Sequence, residues 1–129
     1  MSNIPADLRY TEAHEWVRSE SDGTLAVGLT DHAQQALGDV VFVELPEVGK
    51  PVAAGDVAGA VEAVTAQSDI HAPVGGEVIA VNEELSSKPH LINTGYWSYE
   101  AWIFKIRPSD SSELGRLLDA AGYKAAIGE

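Results

Sequence analysis

The chain has 129 residues, 45% hydrophobic and 22% charged, a composition that is typical of a folded domain and argues against a disordered chain. It has no cysteine, which excludes disulfides, thiolate metal sites and a cysteine nucleophile. Eight basic residues stand against twenty acidic ones, a net charge of −12, which argues against nucleic acid and anionic membranes as partners.

The charge pattern and the N-terminal residues also set expectations for location and assembly. No apolar run approaches the ~20 residues of a membrane span. Residues 1–7 have neither the basic nor the apolar region of a signal peptide, so we expect a cytoplasmic protein. The acidity is typical of a protein that stays monomeric, and it equally suits a small partner steered toward basic docking surfaces.

The first half of the chain reads as short strands separated by turns. Residues 14–18 and 25–29 predict a hairpin around the turn at Asp22-Gly23, because Asp-Gly adopts positive φ cheaply. A short helix follows at about 31–37, and the β-branched and aromatic run at 40–45 is the clearest buried strand.

The second half continues in the same manner and then changes period. We expect strands near 57–64, 77–81 and 101–107, a short extended piece at 70–73, and two short helices between 82 and 93. Asp110-x-x-Glu113 resembles a capping box that opens a helical tail, and Asp119 restarts a last helix toward Ile127. The prediction is one mostly β domain over 1–129, a small barrel or sandwich with short peripheral helices and a C-terminal helix.

No catalytic or metal-binding constellation stands out in the sequence. The four histidines are scattered, without thiols or an i,i+4 pair, so we expect no metal site. The best acid–base candidates for an enzyme are His14 and Glu15, but neighbours along a strand point to opposite faces. An enzyme is therefore the weakest of the alternatives, and we expect no catalytic residues.

One segment is more informative, because it places an exposed tip between two strands. Residues 59–78 read as strand, tip, short strand, proline turn and strand. The segment resembles the attachment hairpin of lipoyl- and biotinyl-carrier domains, and the whole chain from about Leu8 resembles the glycine cleavage system H protein family. The matching stretches include Tyr10-Thr11-Glu12-Ala13-His14-Glu15-Trp16, Leu37-Gly38-Asp39-Val40-Val41-Phe42-Val43-Glu44-Leu45-Pro46, Ser68-Asp69-Ile70 and Ala72-Pro73-Val74-Gly75-Gly76-Glu77-Val78.

The resemblance implies a fold and a role. The fold is a barrel-sandwich hybrid of two small sheets, like a lipoyl domain. The role is a non-enzymatic shuttle, in which a lysine at the hairpin tip bears lipoic acid. That arm takes an aminomethyl group from the P protein to the T protein, and the L protein then reoxidises it.

The tip departs from the family pattern at the residue that matters chemically. The family has Glu-Ser-Val-Lys-Ala-x-Ser-Asp, and this chain has Glu-Ala-Val-Thr-Ala-Gln-Ser-Asp over 62–69, with Thr65 in the place of the lysine. A short, branched threonine has no amine to form an amide, and its hydroxyl is a poor nucleophile near neutral pH. We therefore expect lipoic acid, the family's cofactor, to be absent, and lipoyl-attaching enzymes to be partners only if a lysine were present.

Other family positions transfer only in part. Glu15 and Asp69 match acidic positions that the resemblance places near the cleft for the loaded arm. The alternative for Glu15 is a strand-end charge, and an Asx turn explains Asp69 at least as well. Ala36 replaces a histidine that some members have near this cleft, and an extra residue lies within 96–101. The chain's lysines, none of them in the motif, read as surface charges: Lys50, Lys88, Lys105 and Lys124.

Two main hypotheses follow. The first is an H-protein fold that is natively unlipoylated and docks to the P, T and L proteins, or to others, without carrying a group. The alternative is a working H protein whose lysine was replaced by engineering or by a sequence change.

Overall fold

A computed structural model describes residue 6 and residues 8–94, 102–109 and 111–128. Within these residues the chain forms nine strands, four short α-helices and one 3₁₀ helix. The strands are β1 Arg9–Tyr10, β2 Glu15–Ser19, β3 Leu25–Leu29, β4 Val40–Glu44, β5 Pro51–Val52, β6 Val57–Ala63, β7 Gln67–His71, β8 Gly76–Val81 and β9 Trp102–Pro108. The helices are α1 Asp31–Leu37, α2 Glu84–Ser87, α3 Leu91–Thr94, the 3₁₀ helix Ser111–Arg116 and α4 Ala120–Ile127.

The strands form two antiparallel sheets of unequal size. The larger sheet has six strands in the order β1-β2-β3-β9-β8-β5, and the smaller has three in the order β4-β6-β7. In the smaller sheet Val61 lies opposite both Val43 on β4 and Ser68 on β7. This arrangement leaves β4 and β7 as the two edges of the smaller sheet.

Local sequence explains where α1 begins and ends. The hydroxyl of Thr30 accepts a hydrogen bond from the backbone N–H of Ala33, which is N-cap geometry. Gly38 follows the helix with φ +82°, and its N–H donates to the carbonyl of Gln34. Asn93 then joins this corner to α3, accepting from the N–H of Val40 (2.9 Å) and donating to the carbonyl of Gly38 (2.8 Å).

The apolar core has two parts. The larger part lies between the two sheets and includes Val61, Ile70 and Phe104, all fully buried. The smaller part lies beside β1 and β2, where Tyr10 and Tyr123 stack with ring centroids 4.8 Å apart. Since Tyr123 belongs to α4, this second part fastens the C-terminal helix to the larger sheet.

The mostly β fold with short helices and a C-terminal helix is confirmed, with local corrections. The two-residue strands β1 and β5 were not predicted, because they are too short to show a period-2 pattern. The extended piece expected at 70–73 is β7, which begins at Gln67 and ends at His71. The tail opens with a 3₁₀ helix, not an α-helix, while Asp110 and the loop at 96–101 lie outside the described residues.

In the part of the chain that the structure describes, no helix combines the length and the apolarity that a membrane crossing requires.

Candidate functional site

The β6–β7 hairpin ends in a tight tip. The N–H of Ala63 donates to the carbonyl of Ala66 (2.8 Å), which leaves Val64 and Thr65 at the turn. The N–H of Val64 donates to the carbonyl of Asp39 (3.1 Å), so the tip is tied to the residue before β4. Both tip side chains are exposed, Val64 by 71%. The tip therefore presents whatever stands at position 65 to the solvent.

Position 65 holds a hydroxyl in an environment that does not activate it. No histidine or carboxylate among the described residues hydrogen-bonds to the Thr65 side chain, so no hydrogen-bonded general base activates its hydroxyl. The lysines do not substitute for an amine at the tip: Lys50, Lys88 and Lys124 are exposed elsewhere. Lys105 lies on β9, 3.8 Å from the Glu20 carboxylate. The expectation that the lysines are surface charges is consistent with these positions.

One face of β7 leads away from the tip. Gln67, Asp69 and His71 alternate with the inward-facing Ile70, which is fully buried, so their side chains share the outer face of the strand. This face is about 13 Å long from Gln67 to His71 at the usual rise of a strand. Asp69 is exposed on it, between the tip and His71.

Glu15, at the start of β2, is a fully buried carboxylate with its hydrogen bonds made inside the protein. It accepts a hydrogen bond from the Thr11 hydroxyl (3.0 Å) and one from the backbone N–H of His71 (2.7 Å). The Nδ1 atom of His71 lies 3.3 Å from the same carboxylate. Burial raises the pKa of Glu15 above its ordinary value, and the hydrogen bonds from His71 and Thr11 oppose this only in part.

A cavity of about 430 Å³ opens beside this carboxylate. Its walls are largely apolar and come from β1, the turn at 53–55, the end of β7 and the 3₁₀ helix. The ionisable residues that line it are Glu12, Glu15, His71, Glu113 and Arg116. Of the residues predicted from the sequence, Glu15 lines the cavity, whereas Thr65 and Asp69 do not. The structure pairs Glu15 with His71. Asp69 lies on β7 between the tip and the cavity.

Two further histidines, His14 and His32, lie close together near the start of β2. His14 has φ +69°, an uncommon conformation for a residue with a side chain, and its Nδ1 lies 2.9 Å from the Tyr123 hydroxyl. The ring of His32 is 4.8 Å away between centroids. Burial, and secondly the His32 charge, lower the pKa of His14. The sequence expectation that the histidines are scattered is therefore wrong for this pair.

The sequence reasoning missed His71 as the partner of Glu15. The signal was present, because His71 stands two residues after Asp69 on a strand and so shares its face. An enzyme would require a histidine paired with a carboxylate, but here only Glu15 is buried while the His71 side chain is 35% exposed, and the Glu15 carboxylate already accepts hydrogen bonds from Thr11 and from the His71 backbone. Among the described residues, no three histidine, aspartate or glutamate side chains are grouped to hold a metal ion.

Comparison with known proteins gives a consistent result. Residues 8–129 match the glycine cleavage H-protein family. The chain is 66% identical over 129 residues to glycine cleavage system H protein 2 of Pseudomonas putida, with all of both chains covered. It is 56% identical over 127 residues to the glycine cleavage system H protein of Burkholderia vietnamiensis, covering 98% of this chain and 99% of the relative. The crystal structure of a glycine cleavage system H protein from Mycobacterium marinum superposes with a TM-score of 0.87 at 38% identity, covering 98% of this chain and all of the other.

Proposed function

We propose that this chain, which belongs to the glycine cleavage H-protein family, is a bare (unlipoylated) member that docks without carrying a group. Members of this family are non-catalytic, lipoyl-carrying shuttle components with a barrel-sandwich fold. The family works with the P, T and L proteins of the glycine cleavage system. The single observation that supports a bare member is the exposed threonine at the tip of the attachment hairpin.

The residues at the tip do not fit covalently bound lipoic acid. A lipoyl amide needs a nucleophilic amine on a long stem, and Thr65 has a hydroxyl on a short one. An ester at this position would be labile, and the tip has no adjacent base to help form it. The role that remains for the chain is one of binding, in which the scaffold engages the P, T and L proteins while the tip transfers no group.

Glu15 and Asp69 form the second part of the proposal, as the lining of an arm cleft retained from the family. Glu15 is buried beside the cavity, and Asp69 lies on the face of β7 that joins the tip to it. We assign them no catalytic role, because the Glu15 carboxylate is engaged by Thr11 and by the His71 backbone, and Asp69 is exposed on its strand. We also propose that the protein acts as a monomer in the cytoplasm, because a net charge of −12 disfavours self-association.

An alternative function is carriage by a scaffold whose lysine has been lost. The observation that favours it is that the tip is intact apart from one side chain. Among the described residues, His14 is the only non-glycine with positive φ, so Thr65 has a backbone conformation that lysine adopts without strain. The exposed side chain also has room for a longer one.

Intact-mass measurement of the protein purified from its native cells tests the bare state. We expect the mass of the unmodified chain; a lipoyl adduct on any residue contradicts the proposal. The Thr65→Lys variant, incubated with a lipoyl-attaching enzyme, lipoic acid and ATP, then distinguishes the two functions. Lipoylation and restored glycine cleavage with the P, T and L proteins support a recently disabled carrier, whereas failure with a folded variant supports divergence beyond the tip.

A further inference from the structure

Four polar side chains meet where the turn before β2, helix α1 and helix α4 come together. The Tyr123 hydroxyl on α4 lies 2.9 Å from Nδ1 of His14 and 2.7 Å from Oγ1 of Thr30, the N-cap of α1. The ring of His32 on α1 lies against the ring of His14, with centroids 4.8 Å apart. We call His14, Thr30, His32 and Tyr123 the clasp, because they join three separate parts of the chain.

The hydrogen bonds of the clasp have one consistent direction when His14 is neutral. With its proton on Nε2, His14 accepts from the Tyr123 hydroxyl at Nδ1, and Tyr123 accepts from the Thr30 hydroxyl. The Thr30 oxygen meanwhile accepts from the N–H of Ala33 (3.2 Å). A proton on Nδ1 reverses this order, because Tyr123 must then donate to Thr30. The hydroxyl hydrogen of Thr30, a residue only 2% exposed, then needs another acceptor inside the protein.

The surroundings of His14 also oppose a positive charge. Burial, and secondly the charge of His32, lower the pKa of His14. The carboxylate of Asp31, which is close in sequence, accepts from the side-chain amide of Gln34 (2.7 Å), while that of Glu15 is engaged at the cavity. The titratable groups on the segments around the ring are Glu12 and Glu15 on its own segment, Asp31 and His32 on α1, Tyr10 on β1, and Tyr123 and Lys124 on α4.

Helix α4 depends on the clasp for its attachment. Among the described residues of the helix, Tyr123 is the one that is buried. The segment before the helix is fastened to β1 at Leu118, whose N–H and C=O each make a 2.8 Å hydrogen bond with the backbone of Tyr10. Leu117 and Leu118 also line the cavity beside Glu15. A helix with so few buried contacts opens locally at a low free energy, and its opening removes support from this wall of the cavity.

We infer that the clasp is a pH-sensitive attachment, in which protonation of His14 beside His32 releases α4 and loosens the cavity wall that precedes it. A histidine suits this role because its charge changes near neutral pH. The pKa of His14 is lowered in the attached state, so its contribution to that state is complete above the ordinary value of 6.5 and is lost as the pH falls through the lowered pKa. This device is additional to the proposed docking function, and it operates whether or not the tip carries a lipoyl group.

Amide hydrogen exchange of the full-length protein, followed by NMR between about pH 5 and 7.5, tests the inference. The amide of Tyr123, which donates to the carbonyl of Asp119 (2.9 Å), reports on α4, and the amide of Leu118 reports on the cavity wall. The amide of Val78, which donates to the carbonyl of Lys50 (3.0 Å), is the reference in the core. Protection factors remove the intrinsic pH dependence of exchange.

Two variants change the clasp and two serve as controls. His14→Asn cannot take up the proton and keeps a residue type that tolerates positive φ, and His32→Gln removes the second imidazole. His90→Gln is the matched control, because it changes a partly buried histidine that precedes α3. Glu15→Gln is the second control, because the raised pKa of Glu15 affects stability in the opposite direction. Melting curves establish that each variant is folded.

We expect the protection of the Tyr123 amide in the wild type to fall about fivefold or more as the pH is lowered, with a parallel fall at Leu118, whereas that of Val78 stays within about twofold. His14→Asn should abolish the fall at Tyr123, and His32→Gln should weaken it. Both controls should retain it.

Three results would overturn the inference in whole or in part. Protection at Tyr123 that does not change with pH, or that changes equally in His14→Asn, means that the clasp is not the pH-sensitive attachment. An equal fall at Val78 means that the whole fold opens, which also overturns it. A fall at Tyr123 without one at Leu118 overturns the link to the cavity wall. The comparison of the three amides in the wild type needs no variant, so the test remains decisive if His14→Asn fails to fold.

Discussion

The hydroxyl of Tyr123 is expected to hold the C-terminal helix against the turn that precedes Glu15. It lies 2.9 Å from Nδ1 of His14 and 2.7 Å from Oγ1 of Thr30, and the tyrosine is fully buried. Tyr123→Phe keeps the ring stacked on Tyr10 but removes both hydrogen bonds. The half-buried His14 can turn to water, whereas Thr30 is a residue only 2% exposed, and its hydroxyl loses a partner inside the protein.

We expect this change to lower the free energy of unfolding by about 1–2 kcal/mol, the usual cost of a buried hydrogen bond whose other partner remains. At about 2.1 cal/mol/K per residue, the entropy of unfolding of a chain of 129 residues is about 0.27 kcal/mol/K. The melting temperature should therefore fall by about 4–7 °C.

Calorimetry and urea unfolding of Tyr123→Phe, Thr30→Val and the double variant measure this contribution. Thr30→Val also removes the cap of α1, so only the cycle isolates the bond between the two hydroxyls. The double variant should be about 1 kcal/mol more stable than the sum of the single losses predicts. Additive losses, or a Tyr123→Phe melting temperature within about 1 °C of the wild type, would refute the reasoning.

Three further predictions concern burial and close packing. The pKa of Glu15 is raised, so Glu15 binds its proton more tightly in the folded chain than in the unfolded one. Its contribution to the free energy of unfolding is therefore largest below pH 4.5 and is lost as the pH rises through the folded pKa. In urea unfolding between pH 4 and 7, the stability of the wild type relative to Glu15→Gln should increase as the pH falls. Gly59→Ala would drive a Cβ into the Glu44 carbonyl oxygen and should cost about 1–3 kcal/mol in urea unfolding. Asn93→Ala should cost about 1–3 kcal/mol and speed hydrogen exchange at the Val40 amide, which then lacks its acceptor.

The elements that the sequence predicts well are those with strong local signals. Helix α1 spans the predicted 31–37, because Thr30 and Gly38 supply both of its ends. Strand β3 likewise spans the predicted 25–29 after its Asp-Gly turn. The two-residue strands have no such signal, since they exist only where tertiary packing places an extended pair beside a longer strand. The tail was predicted as helical from its Asp110-x-x-Glu113 motif, and that motif does not distinguish a 3₁₀ helix from an α-helix.

The candidate site was predictable in its parts but not in its contacts. Motif spacing located the tip and the acidic positions Glu15 and Asp69. It could not show that Glu15 accepts a hydrogen bond from the backbone of His71, because that contact joins two sheets across 56 residues. The contact between His14 and His32 could not be predicted either, because it depends on a left-handed backbone conformation at His14 that no sequence pattern indicates.

The side chain at position 65 decides whether a lipoyl group can be attached, but it makes no hydrogen bond that stabilises the hairpin. The hairpin is held by backbone hydrogen bonds from Ala63 and Val64, and none of them involves the side chain at position 65. Thr65→Lys should therefore change the free energy of unfolding by no more than about 0.5 kcal/mol, as for other exposed sites. An equal stability in the two proteins would mean that the loss of the amine cost the fold nothing, so a bare member can keep its docking surface intact. A larger loss would mean that the tip has adapted its packing to threonine, and a single substitution would then not restore a carrier.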